Sequence, residues 1–126
     1  MKAMRLHEIG NGPAGLRYEE VPDPQPGPGE TLIRLHAAAL NRRDLFVTYG
    51  QYPGARPEAL PVILGSDGSG EVVAHGDGAE TLPPEGSEVI INPALHWGED
   101  QTKPGREYRI LGLPDDGTFA QLVKVP

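Results

Sequence analysis

The chain has 126 residues, 37% of them hydrophobic, and a formal net charge of −7. That is enough for one domain with a buried core, and the acidic balance lacks the basic patch that nucleic acid binding requires. There is no cysteine, which excludes disulfides and every thiolate-bound metal, and no apolar run near the length of a membrane span.

The opening, Met1 to Glu8, turns polar at once and does not read as a secretory signal, so the expected location is cytoplasmic. Seventeen glycines and 14 prolines are scattered among apolar and β-branched runs, the pattern of turns between strands. Residues 2–7 and 15–20 are predicted as a short hairpin, joined through Gly10, Gly12, Pro13 and Gly15. Pro22, Pro24, Pro26 and Pro28 then occupy alternate positions, which predicts a stiff, extended connector between strands rather than a ligand for a proline-reading partner.

From Thr31 to Leu40 the chain alternates Thr31, Ile33, Leu35 and Ala37 against Leu32, Arg34 and His36, the period of a half-buried strand. Asn41 and Asp44 have the spacing of a helix N-cap and its N3 acceptor, and Gly50 is a stop signal. These predict one short helix near 42–49. Signals then return to β at 62–76, 87–93, 108–112 and 118–125, separated by Gly76-Asp77-Gly78, Pro83-Pro84-Glu85-Gly86 and Pro114-Asp115-Asp116-Gly117. Many short strands with one helix predict a mainly β, Greek-key or partly open barrel.

The run from Gly65 to Gly70 is spaced G-x-x-G-x-G. A dinucleotide fingerprint has the other order and opens a helix, whereas strand-like residues follow here. The glycines are therefore expected to let a strand bend or pack closely. His7, His36, His75 and His96 have no metal-binding spacing.

Two segments stand out as a pair, AALNRRDLFVTYGQYPG (38–54) and LPVILGSDGSGEVV (60–73). Together with VPDPQPGPGE, the GSEV turn at 86–89 and the ending GTFAQLVKVP, they resemble, in order, the N-terminal GroES-like catalytic domain of the medium-chain dehydrogenase/reductase superfamily. The resemblance covers essentially the whole chain. It implies a GroES-like, partly open β-barrel over 1–126. It also implies that the nucleotide-binding domain lies outside this sequence, which makes the sequence a truncated piece of a longer protein, inactive by itself.

Zinc-dependent members of that family carry Cys where this chain has Asn41, and Gly-His-Glu where it has Gly65, Ser66 and Asp67. An amide and a hydroxyl replace the soft thiolate and imidazole that catalytic zinc requires. The resemblance therefore points to the zinc-free, quinone-oxidoreductase-like branch, with no metal site. NADP or NAD would be held mainly by the absent domain, and a small quinone, enone or aldehyde would be the partner. A homo-oligomer is compatible with it.

The site residues that follow are Asn41, Tyr52 and Asp67 as catalytic groups, with Asp44, Phe46, Ser66 and Trp97 lining the substrate and nicotinamide pocket. Several have a second, plainer reading. Asn41 and Asp44 cap the helix whether or not they face a ligand. Tyr52 is either a pocket phenol or a rim aromatic. Asp67 is either a base or, as its glycine neighbours favour, a turn carboxylate held by backbone amides. Trp97 either covers the cleft or plugs its own loop. The rival from another class is a non-catalytic, co-chaperonin-like β-barrel module. Against it, the prolines stiffen the region in which a mobile docking loop would lie.

Overall fold

The computed structural model describes residues 1–79 and 83–126. In chain order the strands are β1 (Lys2–Leu6), β2 (Leu16–Glu20), β3 (Thr31–Ala39), β4 (Val62–Ile63), β5 (Asp67–His75), β6 (Glu88–Ile90), β7 (Ala94–Leu95), β8 (Arg109–Ile110) and β9 (Leu122–Val125). The α-helix α1 (Arg42–Thr48) follows β3, and short 3-10 turns occupy Gly12–Gly15 and Pro57–Ala59. Among the described residues no helix is long and apolar enough to cross a membrane.

The strands form three sheets, ordered β2-β1-β4, β6-β5-β3-β9 and β7-β8, and these do not close on one another. The mainly β, partly open architecture with one short helix is thus as expected. β1 and β2 pair antiparallel from Lys2↔Glu20 to Leu6↔Leu16, the predicted hairpin. The proline run between Val21 and Glu30 forms no strand, because ring nitrogens cannot donate to a ladder.

Two expectations are refined. The stretch 62–76 is not one strand. It breaks between Ile63 and Asp67, so that β4 pairs with β1 while β5 pairs with β3. A short strand at 94–95, paired with β8, carries too few residues for any period to reveal it.

Strict alternation also fails at the start of β3, where Thr31, Leu32 and Ile33 are all buried. The β3–β5 register shifts between Leu32 and Ile33, and an irregularity of that kind lets consecutive side chains share one face.

Two apolar clusters hold the elements together. Leu6, Val47, Val62, Leu64 and Leu113 join the hairpin sheet to α1. Ile33, Ile91, Leu95, Leu111 and Val123 fill the space beneath the four-stranded sheet. Each fully buried Val or Leu among them contributes roughly 1.5–3 kcal/mol. Val47 matters most for the site, because it seats α1 on the first cluster.

Candidate functional site

Helix α1 starts at Asn41, whose extended backbone (φ −115°, ψ 150°) marks the N-cap. The Asn41 N–H donates to Asp44 Oδ2 at 2.8 Å, and the Asp44 N–H donates to the Asn41 carbonyl at 3.0 Å. Asp44 is thus the expected N3 acceptor, buried at 6% exposure. Burial pushes its carboxyl above the ordinary aspartate value, and nearby Asp67 adds to that rise. The Asn41 and Gly65 amides and the Arg43 charge pull the other way. Its Oδ1 is buried without a hydrogen-bond partner.

The Asn41 side chain does more than cap. Its Nδ2 donates to Asp67 Oδ2 at 2.8 Å, joining the helix start to the first residue of β5. Asp67 is therefore held by a side-chain amide, where the sequence favoured the amides of neighbouring glycines. Its own carbonyl accepts from the Thr118 hydroxyl at 2.9 Å, and Thr118 is almost wholly buried.

Why the chain breaks between Ile63 and Asp67 is visible in three glycines. Gly65 has φ +95°, and a Cβ there would meet the Phe119 ring at 2.5 Å and Thr118 Oγ1 at 2.6 Å. A Cβ on Gly117 would lie 2.0 Å from the Gly65 carbonyl oxygen, and one on Gly112 2.6 Å from it. Backbone packs on backbone, and the contact is locked by Gly117 N–H to Ile63 O (2.8 Å), Thr118 N–H to Gly65 O (3.0 Å) and Phe119 N–H to Leu64 O (2.9 Å). Gly68 and Gly70 fall inside β5. The glycine run thus serves close packing, and Ser66 and Asp67 are presented at the resulting corner.

Ser66 is 5% exposed. Its hydroxyl donates to the Leu111 carbonyl at 3.0 Å and accepts from Arg43 Nη1 at 3.0 Å. Arg43, which the sequence reading passed over, also donates to Leu111 O (3.1 Å), Leu113 O (3.3 Å) and Ile110 O (3.4 Å). Its guanidinium carbon lies 4.5 Å from the centre of the Tyr52 ring, within cation–π range. A signal for it existed. Asp44, Val47 and Thr48 are the buried residues of α1, and Arg43, four residues before Val47, falls on that same stripe.

The structure therefore brings together Asn41, Asp44, Ser66, Asp67 and Tyr52. Phe46 stands on the outer side of α1, 38% exposed, with the Arg42 guanidinium 5.4 Å from its ring centre. Leu40, Leu45 and Tyr49 are also exposed around this helix. Trp97 sits on a different loop, edge-to-face with Tyr108 at 5.2 Å between centroids, and its indole donates to Asp100 O at 3.0 Å. Its carbonyl accepts from the Gly105 N–H at 2.7 Å, so these contacts all lie within that loop.

Among the described residues no three His, Asp or Glu side chains converge as a metal-binding set. A cavity of about 420 Å³ lies elsewhere, lined in part by Val21, Ile63, Leu95, Val123 and Arg109, and none of the candidate residues reaches it. Among the charged groups lining it, Met1–Asp23, Lys124–Glu30 and Arg109–Asp115 are paired with one another.

Known proteins are similar to this chain in sequence and in fold. The sequence profile of the alcohol dehydrogenase GroES-like domain matches residues 27–126. A zinc-type alcohol dehydrogenase-like protein of Schizosaccharomyces pombe is 35% identical over 96% of this chain and 34% of its own length. A chloroplastic quinone-oxidoreductase of Triphysaria versicolor is 39% identical over 71% of this chain and 27% of its own. The solved structure of an NAD-dependent alcohol dehydrogenase superposes with a TM-score of 0.87 and 40% identity, covering 100% of this chain and 37% of that one. The chain thus spans about a third of the length of such relatives.

Proposed function

The chain belongs to the alcohol dehydrogenase GroES-like domain family, and on that premise we propose that it forms the substrate side of a zinc-independent, NAD(P)H-dependent oxidoreductase acting on a quinone or enone, or less readily an aldehyde. The observation that carries this reading is the Asn41–Asp67 hydrogen bond at 2.8 Å, set beside the Arg43–Ser66 bond at 3.0 Å.

The donor set is a poor fit for zinc. That ion takes thiolate, imidazole or carboxylate ligands. Here Ser66 gives its proton to Leu111 and its lone pair to Arg43. A metal ion at Ser66 would face a guanidinium, so like charges would oppose binding. No step is therefore assigned to a metal.

Bound nicotinamide would supply the hydride. The chain's own contribution is orientation and polarity. Asn41 carries two amide hydrogens, and one is committed to Asp67. The other is proposed to donate to the acceptor's oxygen as negative charge develops there, a preorganised dipole of the oxyanion-hole kind. Asp67 fixes the amide's orientation, and Asp44 fixes the backbone from which it projects. Tyr52 closes one side of the site, and exposed Phe46 offers an apolar wall for a flat ring. Trp97, on its separate loop, is the outlying member of this proposal.

The test is made in the complete oxidoreductase. Asn41→Ser keeps a capping oxygen but removes the amide donor, and kcat/KM is expected to fall on the order of ten- to a hundredfold, with stability lower only by the lost Asn41–Asp67 bond, about 0.5–1.5 kcal/mol. Unaltered kcat/KM would reduce Asn41 to a cap. Asn41→Asp is the less clean variant, because it sets a carboxylate against Asp67. Elemental analysis of protein purified without chelator is expected to find no stoichiometric zinc, and one tightly held zinc per chain overturns the metal-free reading.

A further inference from the structure

We infer that Arg43 is the positioning residue of this site, one guanidinium that ties α1 to Ser66, to the 110–113 carbonyls and to the ring of Tyr52. The inference rests on the reading of Asn41, Ser66 and Tyr52 as the substrate side, and it assigns Arg43 no direct part in hydride transfer.

Guanidinium hydrogens decide the matter. Arg carries five N–H donors in a rigid fork. Nη1 is engaged by Ser66 Oγ and Leu111 O, and Nη2 by Ile110 O and Leu113 O. Nε is buried with no hydrogen-bond partner. Ser66 also donates to Leu111 O, so Arg43, Ser66 and Leu111 form a closed triangle of hydrogen bonds. The carbon of the same group lies over the Tyr52 ring, 4.5 Å from its centre. A lysine ammonium, as a point charge on a flexible stem, cannot meet four divergent acceptors and a ring face at once.

The charge is also handled unusually. Among the described residues Arg43 forms no salt bridge, although seven ion pairs of Lys, Arg or the N-terminus are present. Neutral carbonyls, a hydroxyl and a π-face hold it instead. A residue kept only to pin a helix would do so at less desolvation cost with an apolar side chain. A fork that reaches Ser66 and Tyr52 from the residue two beyond Asn41 fixes three candidate groups in one frame, which is what a preorganised site requires.

The experiment is NMR on the full chain, with Arg43→Lys, Arg43→Met and a control, Val123→Ala, which opens a cavity in the other apolar cluster, against which Tyr52 does not pack. Both Arg43 variants are expected to move the Tyr52 ring signals, the Asn41 side-chain amide and the backbone amides of Ser66 and residues 111–113 together, with lysine failing to rescue. The control is expected to lower Tm while leaving the Tyr52 and Asn41 side-chain signals in place. Wild-type positions for Tyr52 and Asn41 in Arg43→Lys overturn the inference.

Should the Arg43 variants fail to fold, Tyr52→Leu reads the contact from its other end. Solvent exchange of the buried Arg43 Nε–H is then expected to accelerate on the order of tenfold or more, and unchanged exchange overturns the inference as well. None of these signals depends on turnover, so a failed hydride-transfer assay and a failed positioning role are told apart.

Discussion

Two regions of this molecule are rich in polar contacts, and they respond to change in opposite ways. At the corner formed by Leu64–Asp67, Gly112 and Gly117–Phe119, backbone lies on backbone and nearly every polar group is buried. Along the β1–β2 hairpin the contacts are between side chains nearer the surface, an exposed Lys2–Glu20 ion pair at 3.3 Å and half-buried Arg5 and His7 converging on Glu19 at 3.3 and 2.6 Å. The corner has no room for an added atom, whereas the ion-paired side chains of the hairpin are expected to tolerate exchange. What positions the candidate site is steric exclusion and buried hydrogen bonding, not charge pairing.

The largest effect that would break this contrast is a single methyl group. Gly117→Ala places a Cβ 2.0 Å from the Gly65 oxygen and 2.7 Å from the Gly112 Cα, both backbone atoms that cannot swing aside. Overpacking of that kind costs about 3 kcal/mol or more. Thermal unfolding is expected to show a Tm lower by many degrees or no cooperative transition. A near-native Tm would mean that the corner can relax, and the account of why the chain breaks there would fall with it.

That corner also marks where sequence reading stopped. The helix at 42–48 was legible because its signals are local: Asn41 and Asp44 at cap spacing and Gly50 just beyond. The hairpin was legible for the same reason. The break at Gly65 was not, because its cause lies at Gly112 and Gly117, more than 40 residues away in sequence, and glycines in an apolar run read equally well as a continuous strand. Arg43 escaped for a related reason. Its carbonyl acceptors belong to residues 110–113, and a main-chain carbonyl leaves no trace in side-chain identity. The pairing of Asn41 with Asp67 likewise joins two motifs that sequence order presents separately.

A middle-sized effect concerns the hydroxyl that latches the corner. Thr118→Val keeps the shape of a side chain that is 1% exposed but deletes its donation to the Asp67 carbonyl. Leaving that acceptor unpaired costs about 1–3 kcal/mol, which urea denaturation would register as a lower midpoint at constant slope. An unchanged midpoint would place the latch entirely in the backbone bonds.

Acid titration sharpens the comparison, because the two regions carry opposite signs. Burial raises the Asp44 carboxyl above its ordinary value, so the folded state holds that proton more tightly than the unfolded chain does. The stability it contributes is complete below the unfolded value and is lost as pH rises through the folded one. Asp44→Asn removes that term while an amide oxygen still accepts the Asn41 N–H. The stability of the variant is therefore expected to decline less than wild type as pH rises through the mildly acidic range. A parallel pair of curves would show that Asp44 titrates normally.

The smallest effect is expected at Glu19, where the sign reverses. The hydrogen bond from His7 lowers its carboxyl below the ordinary value; burial, the next largest influence, opposes it, and the charges of His7 and Arg5 give smaller help. A depressed carboxyl contributes stability that is present above the unfolded value and is lost as pH falls through the folded one. Because the group lies near the surface and is only half-buried, that contribution is screened by salt and set against the ordering of the side chains that meet there. Glu19→Gln is therefore expected to leave Tm at neutral pH within experimental error, and to flatten only the acid limb of the stability curve at low ionic strength. About 1 M salt, at which the screening length falls to roughly 3 Å, is expected to erase even that difference. A marked loss of stability at neutral pH and high salt would show that the hairpin, like the corner, depends on one fixed arrangement of polar groups, and the division drawn between the two regions would not stand.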